Sequence, residues 1–148
     1  INDWPEICKD LKKTVLCTSM LEIIDKTFDD DTPDKKTYKA LATIMKYYNN
    51  FDTNLNNAFY YFLLHFLKNS GYDILNAKEH PIIIRFEREN LNILSDLNNI
   101  FGMDFNQPEQ ITEKTNYDKK IMTQFMSELV KYHFPDAKSF KVAKDLFS

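Results

Sequence analysis

Three histidines, His65, His80 and His133, are the side chains best suited to proton transfer or metal binding, and their spacing serves neither. None belongs to an H-E-x-x-H, C-x-x-C or other compact ligand pattern. His65 lies among the aromatics of residues 59–67 and reads as a packing residue. His80 precedes Pro81 and reads as a helix start, while His133 falls in a last helical turn, where a cation suits the helix dipole. Asp29, Asp30 and Asp31 lack the alternation and glycine of a calcium loop and read as a solvated turn. Gly71 and Gly102 are the only glycines, so there is no glycine-rich phosphate cradle, and no serine sits in a nucleophile elbow. No pair of carboxylates has a spacing that favours acid–base work over surface charge. The expectation is a non-enzymatic protein with no catalytic residue, no metal site, no cofactor and no small-molecule substrate.

Cys8 and Cys17 fall on what reads as one helix. Nine residues at about 1.5 Å each separate them by roughly 13 Å, beyond the ~7 Å reach of a disulfide. Both read as small, semi-buried residues.

The elements that carry these groups are helical. The two glycines and five prolines sit where helices would stop or start, and between them apolar residues recur every three or four positions. A first helix is expected from about Trp4 to Phe28, with Asp3 as cap and an inward stripe of Ile7, Leu11, Val15, Leu21, Ile24 and Phe28. Thr18 fills a gap in that stripe.

Thr32-Pro33 restarts the chain. The next seam reads Tyr38, Leu41, Met45, Tyr48, Asp52, Leu55, Phe59, Phe62 and Phe66, with an acid at its middle. Asparagines around Asp52 mark one place for a break, at 51–54. The repeat keeps the same phase on both sides, so a continuous helix to about Asn69 is the expectation. A third helix, from His80-Pro81 to Phe101, carries Asn90 in its seam. A fourth runs from Asn116 to His133, and residues 137–147 are expected to form a short closing helix.

The fold class expected is therefore an all-α, up-down bundle of four main helices with a short C-terminal helix, one domain over residues 1–148. Asp52, Asn90 and Thr18 would form a polar core where apolar groups pack better, which suggests a metastable bundle that opens at a partner. The segment 58–67 is apolar almost all round, more than one face of a bundle needs. Its surplus, Tyr60, Tyr61 and Leu64, is the candidate patch for a protein or membrane surface.

At 43% hydrophobic residues the chain is far from a disordered composition. A formal charge of −3 and a pI near 5.6 argue against nucleic acid as a partner. No run approaches the roughly 20 apolar residues of a membrane-spanning helix. Arg85 and Arg88 are the only arginines beside many lysines, and asparagine is abundant, a bias that resembles proteins of AT-rich, apicomplexan-type parasites. A start at Ile1 fits a trimmed or a processed end, such as one left by a removed signal peptide. The functional expectation is a secreted protein, or one of a secretory organelle, acting on host cells or membranes in invasion or cell traversal. The alternative comes from the run His80-Pro81-Ile82-Ile83-Ile84-Arg85-Phe86, which resembles the HP-apolar-apolar-x-R-apolar motif of the nuclear exosome-cofactor family. The aromatic stretch Phe59 to Gly71 is loosely similar to that family too. This resemblance implies a helical adaptor in nuclear RNA processing.

Overall fold

The computed structural model describes residues 5–27, 35–89, 92–111 and 117–138. Every regular element among them is helical: α1 (Pro5–Cys8), α2 (Leu11–Thr27), α3 (Lys35–Asn50), α4 (Leu55–Asn69), α5 (Pro81–Glu89), α6 (Ile93–Phe101) and α7 (Lys119–His133), with 3-10 turns at Ile74–Asn76 and Pro108–Gln110. The all-α bundle expected from the sequence is the fold. The expected closing helix falls largely outside the described residues, as do Asn90 and the three acids at 29–31.

The expected first three helices are each broken once. The first divides at Lys9–Asp10, because the Asp10 carboxylate accepts the Lys13 amide at 3.0 Å and caps α2. Cys8 and Cys17 therefore sit on different helices, the first exposed, the second buried, and no disulfide joins them. Burial, aided by the nearby Cys8, pushes the Cys17 thiol up to about 12, which makes it inert.

The second expected helix breaks at residues 51–54, and α3 packs along α4 as a hairpin. Asn54 adopts the left-handed region at φ 56° and ψ 29°, which Asn tolerates better than most residues. Two buried tyrosines of α3 hold the turn: Tyr47 donates its hydroxyl to the Thr53 carbonyl and Tyr48 to the Leu55 carbonyl, each at 2.7 Å. The third expected helix divides into α5 and α6, with Asn92 preceding the second piece.

Helix α4 is the centre of the molecule. Ala58, Phe59, Phe62, Leu63 and Phe66 have no exposed surface, and it packs against α2, α3 and α6. This explains a segment that is apolar almost all round: other helices surround it and leave only the Tyr61–His65 edge partly open. Tyr60 and Leu64 are buried at 1% and 2% exposure, and Tyr61 is half-buried against His65 and Phe105. Of the expected surface patch, Tyr60 and Leu64 are thus core, and Tyr61 alone keeps a partly open face.

Contacts to α7 run in register with α4. Asn57 bonds Tyr117, Tyr60 bonds Thr123, and Phe66 meets Phe134 at 5.9 Å. The two helices are therefore parallel and their ends coincide. Across from α4, α7 holds α5 through Phe86 against Phe125, edge to face at 5.2 Å, and through an Arg85–Glu128 ion pair.

Candidate functional site

Of the three residues expected to form a polar core, Thr18 and Asp52 lie outside the core, and Asn90 is not among the described residues. Thr18 is exposed and returns its hydroxyl to the Thr14 carbonyl of its own helix at 2.8 Å. Asp52 lies in the α3–α4 turn with its side chain 88% exposed, bonded at 2.7 Å to Lys13, whose side chain is 4% exposed. The helix break lifts the carboxylate out of the seam and leaves the cation as the buried partner. The polar residues buried among those described are Lys13, Ser19, Thr37 and Asn57.

His65 is the packing residue that the sequence suggests. Its ring stacks on Phe101 at 3.9 Å and donates Nε2–H to the Phe101 carbonyl at 3.0 Å. Burial holds it below its ordinary pKa, the carbonyl bond opposes that shift, and the Lys68 charge adds to it.

Two surface features remain, one at each end of the parallel α4/α7 pair. At the first end is a polar cleft of about 240 Å³ between the start of α4 and the start of α7. Lys12, Asp52, Asn54, Asn56, Asn57, Tyr117 and Lys119 contribute to its walls. Burial holds Lys12 below the usual lysine value, Asp10 opposes this, and the like charge of Lys119 adds to it. Asp118 caps α7 here by accepting the Lys120 and Ile121 amides at 2.9 and 3.2 Å.

At the other end, α4 stops at Gly71, whose φ of 99° only glycine adopts freely. The Tyr72 amide reaches back to the Leu67 carbonyl and the Gly71 amide to Lys68, a Schellman closure that turns Tyr72 outward. Tyr72 then meets His133 at 4.8 Å, His133 meets His80 at 5.2 Å, and His80 meets Tyr132 at 4.8 Å between ring centroids. Both tyrosines remain more than half exposed, at 54% and 56%. Beside them opens a cavity of about 280 Å³ whose wall includes Ser70, Tyr72, His133, Phe134 and Asp136.

The hydrogen bonds assign the protons of the histidine pair. His80 Nδ1 accepts the Ile82 amide at 3.2 Å, so it carries no proton, and its Nε2–H donates to His133 Nε2 at 3.1 Å. His133 consequently keeps its proton on Nδ1. Burial lowers both rings, and the neighbouring His80 helps bring His133 down to about 4, so the pair is neutral near pH 7.

The pair is not a chelate, because Nε2 of His80 is committed as a donor while the α5 amide holds Nδ1. Among the described residues no three His, Cys, Asp or Glu gather to hold a metal, and no helix is long and apolar enough to cross a membrane. Sequence reasoning missed both ends of the pair. The signals present were the exposed-looking Tyr72 after a helix-stopping Gly71, and Tyr132-His133 at the end of α7.

No curated protein and no solved structure matches the chain. Residues 8–75 match the family model described as Recombination protein O C terminal, which covers α2, α3, α4 and the turn after them. This finding overturns the reading as a secreted parasite protein acting on host cells or membranes, and with it cell traversal and a secretory location. It also overturns the nuclear RNA-processing adaptor and the dismissal of nucleic acid as a partner. The lysine and asparagine bias reports the base composition of a genome, and a net charge of −3 averages over a surface whose local fields differ. What residues 8–75 are similar to is the C-terminal part of a recombination protein.

Proposed function

We propose that the chain serves in DNA recombination as a non-enzymatic helical module that binds single-stranded DNA. The observation that carries this reading is the match of residues 8–75 to the C-terminal part of recombination protein O. The polar cleft supports it by offering Lys12 and Lys119 to a phosphate, with the Asp52 carboxylate of the same wall paired to Lys13, in a molecule whose overall charge gives no general attraction to one. Binding should then be local and weakly salt-dependent.

Fluorescence anisotropy of a labelled 15-mer single strand and its duplex, titrated with the chain at several salt concentrations, tests this. Two neutralised phosphates give a slope of log affinity against log salt near −1.4, from about −0.7 per phosphate on a single strand. Lys12→Gln with Lys119→Gln should bring the slope close to zero. Absence of binding to either DNA at tens of micromolar protein would remove the reading.

A further inference from the structure

We infer that the surface cluster of Tyr72, His80, Tyr132 and His133, with the cavity beside it, takes an unstacked base of a single-stranded nucleic acid. The inference rests on the DNA-binding reading above and assigns it a second contact, remote from the lysine cleft.

Four observations support it. The first is exposure: Tyr72 and Tyr132 keep more than half of their surface in water, although each already touches a neighbouring ring at about 5 Å. An exposed ring held in place by another ring is a platform, since its face is fixed before a ligand arrives and little order is lost on stacking. The second is rigidity at the base of the platform. The Schellman closure fixes Tyr72, and the His80–His133 hydrogen bond ties the start of α5 to the end of α7.

The third is the chemistry of the adjoining cavity. Neither Lys nor Arg is among its lining residues, whereas Asp136 is, so an anionic group is repelled. Ser70 and His133 also line it, and His133 keeps a proton on Nδ1. An N–H donor and a carboxylate acceptor beside stacking faces match a nucleobase edge, with its mixed N–H and carbonyl groups, and do not match a phosphate. The fourth is position. The cluster stands at the far end of α7 from Lys119, and a 15-residue helix spans about 22 Å. A single strand has room to place its backbone at the lysines and a base at the tyrosines.

The test compares a 15-mer of deoxythymidine with a 15-mer of the same length made of abasic sugar phosphates, both by anisotropy. The chain should bind the base-bearing strand more tightly. Tyr72→Ala with Tyr132→Ala should weaken that binding about 5- to 150-fold, the range for loss of one stacked base, and leave the abasic strand unaffected. Tyr72→Phe with Tyr132→Phe keeps the ring faces and should restore binding, which separates stacking from any loss of fold. Equal affinity for the two strands, or an unchanged affinity of the alanine variant, would overturn the base site while leaving the DNA-binding reading intact. No binding of either strand would overturn both.

Discussion

Asp52→Ala should destabilise the protein far more than its exposure suggests. The carboxylate is 88% exposed, and an exposed ion pair is ordinarily worth 0–1 kcal/mol. Its partner is different: the Lys13 side chain is 4% exposed, and its ammonium bonds Asp52 at 2.7 Å. Removing the acid strands a charge that folding has already withdrawn from water. For a fully buried pair that penalty reaches about 3–5 kcal/mol. Here one side of the pair is open to solvent, so water replaces part of the lost partner and about 1–2 kcal/mol is expected. At about 2–4 °C per kcal/mol for a chain of this size, the melting temperature should fall by about 2–8 °C.

Lys13→Met reverses the asymmetry, because it substitutes an apolar stem and leaves Asp52 in the water it already faces. Its effect should stay within about 0.5 kcal/mol, and Asp52→Ala added to Lys13→Met should cost almost nothing more. Thermal melts followed by circular dichroism on the four members of this cycle decide the matter. If Asp52→Ala shifts the melting point equally with and without Lys13, the ammonium is hydrated and the reasoning fails.

Acid should destabilise the protein through the histidine pair. His133 titrates at about 4 when folded and near 6.5 when unfolded, so its contribution is complete above pH 6.5 and is lost as pH falls from 6.5 toward 4. Halved for solvent screening at a half-exposed site, the loss between pH 7 and pH 5 is about 1 kcal/mol, and His133→Asn should flatten the melting temperature over that interval. Asp118→Ala should cost about 1 kcal/mol by releasing the Lys120 and Ile121 amides, read as a drop in the urea midpoint. Tyr48→Phe should cost about 1–1.5 kcal/mol, since it leaves the Leu55 carbonyl without the hydroxyl that clamps the α3–α4 turn. A midpoint unchanged by that substitution would mean that Tyr47, Asn54 and Asp52 hold the turn without it.

Helical class was legible because it depends on short-range periodicity, and the positions of the breaks were not, because periodicity survives them. Asp52 shows why. The apolar repeat has one phase before and after it, as a continuous helix would, yet α3 and α4 fold back on each other. Both helices bury their stripes in the same core, so the spacing is blind to a reversal between them. The turn was written elsewhere, in an Asn at 54 that accepts a left-handed backbone and in Tyr47 and Tyr48 one helix turn upstream, whose hydroxyls reach over it. A stripe reports which residues are buried. Only side-chain-to-backbone bonds report where the chain turns.

The surface ends of α4 and α7 were hidden for a related reason. Tyr132 lies far from Tyr72 and His80 in sequence, and each has an ordinary role where it stands: after a stop, before a proline, in a last turn. They meet because α4 and α7 run parallel, which requires an even number of reversals between them and cannot be seen in either helix alone. Tertiary packing likewise explains how a chain of net charge −3 presents two lysines together, since Lys12 comes from α2 and Lys119 from α7. An averaged charge weighs against a long basic groove. It leaves room for two separate contacts at the ends of one helix pair, one for a phosphate and one for a base.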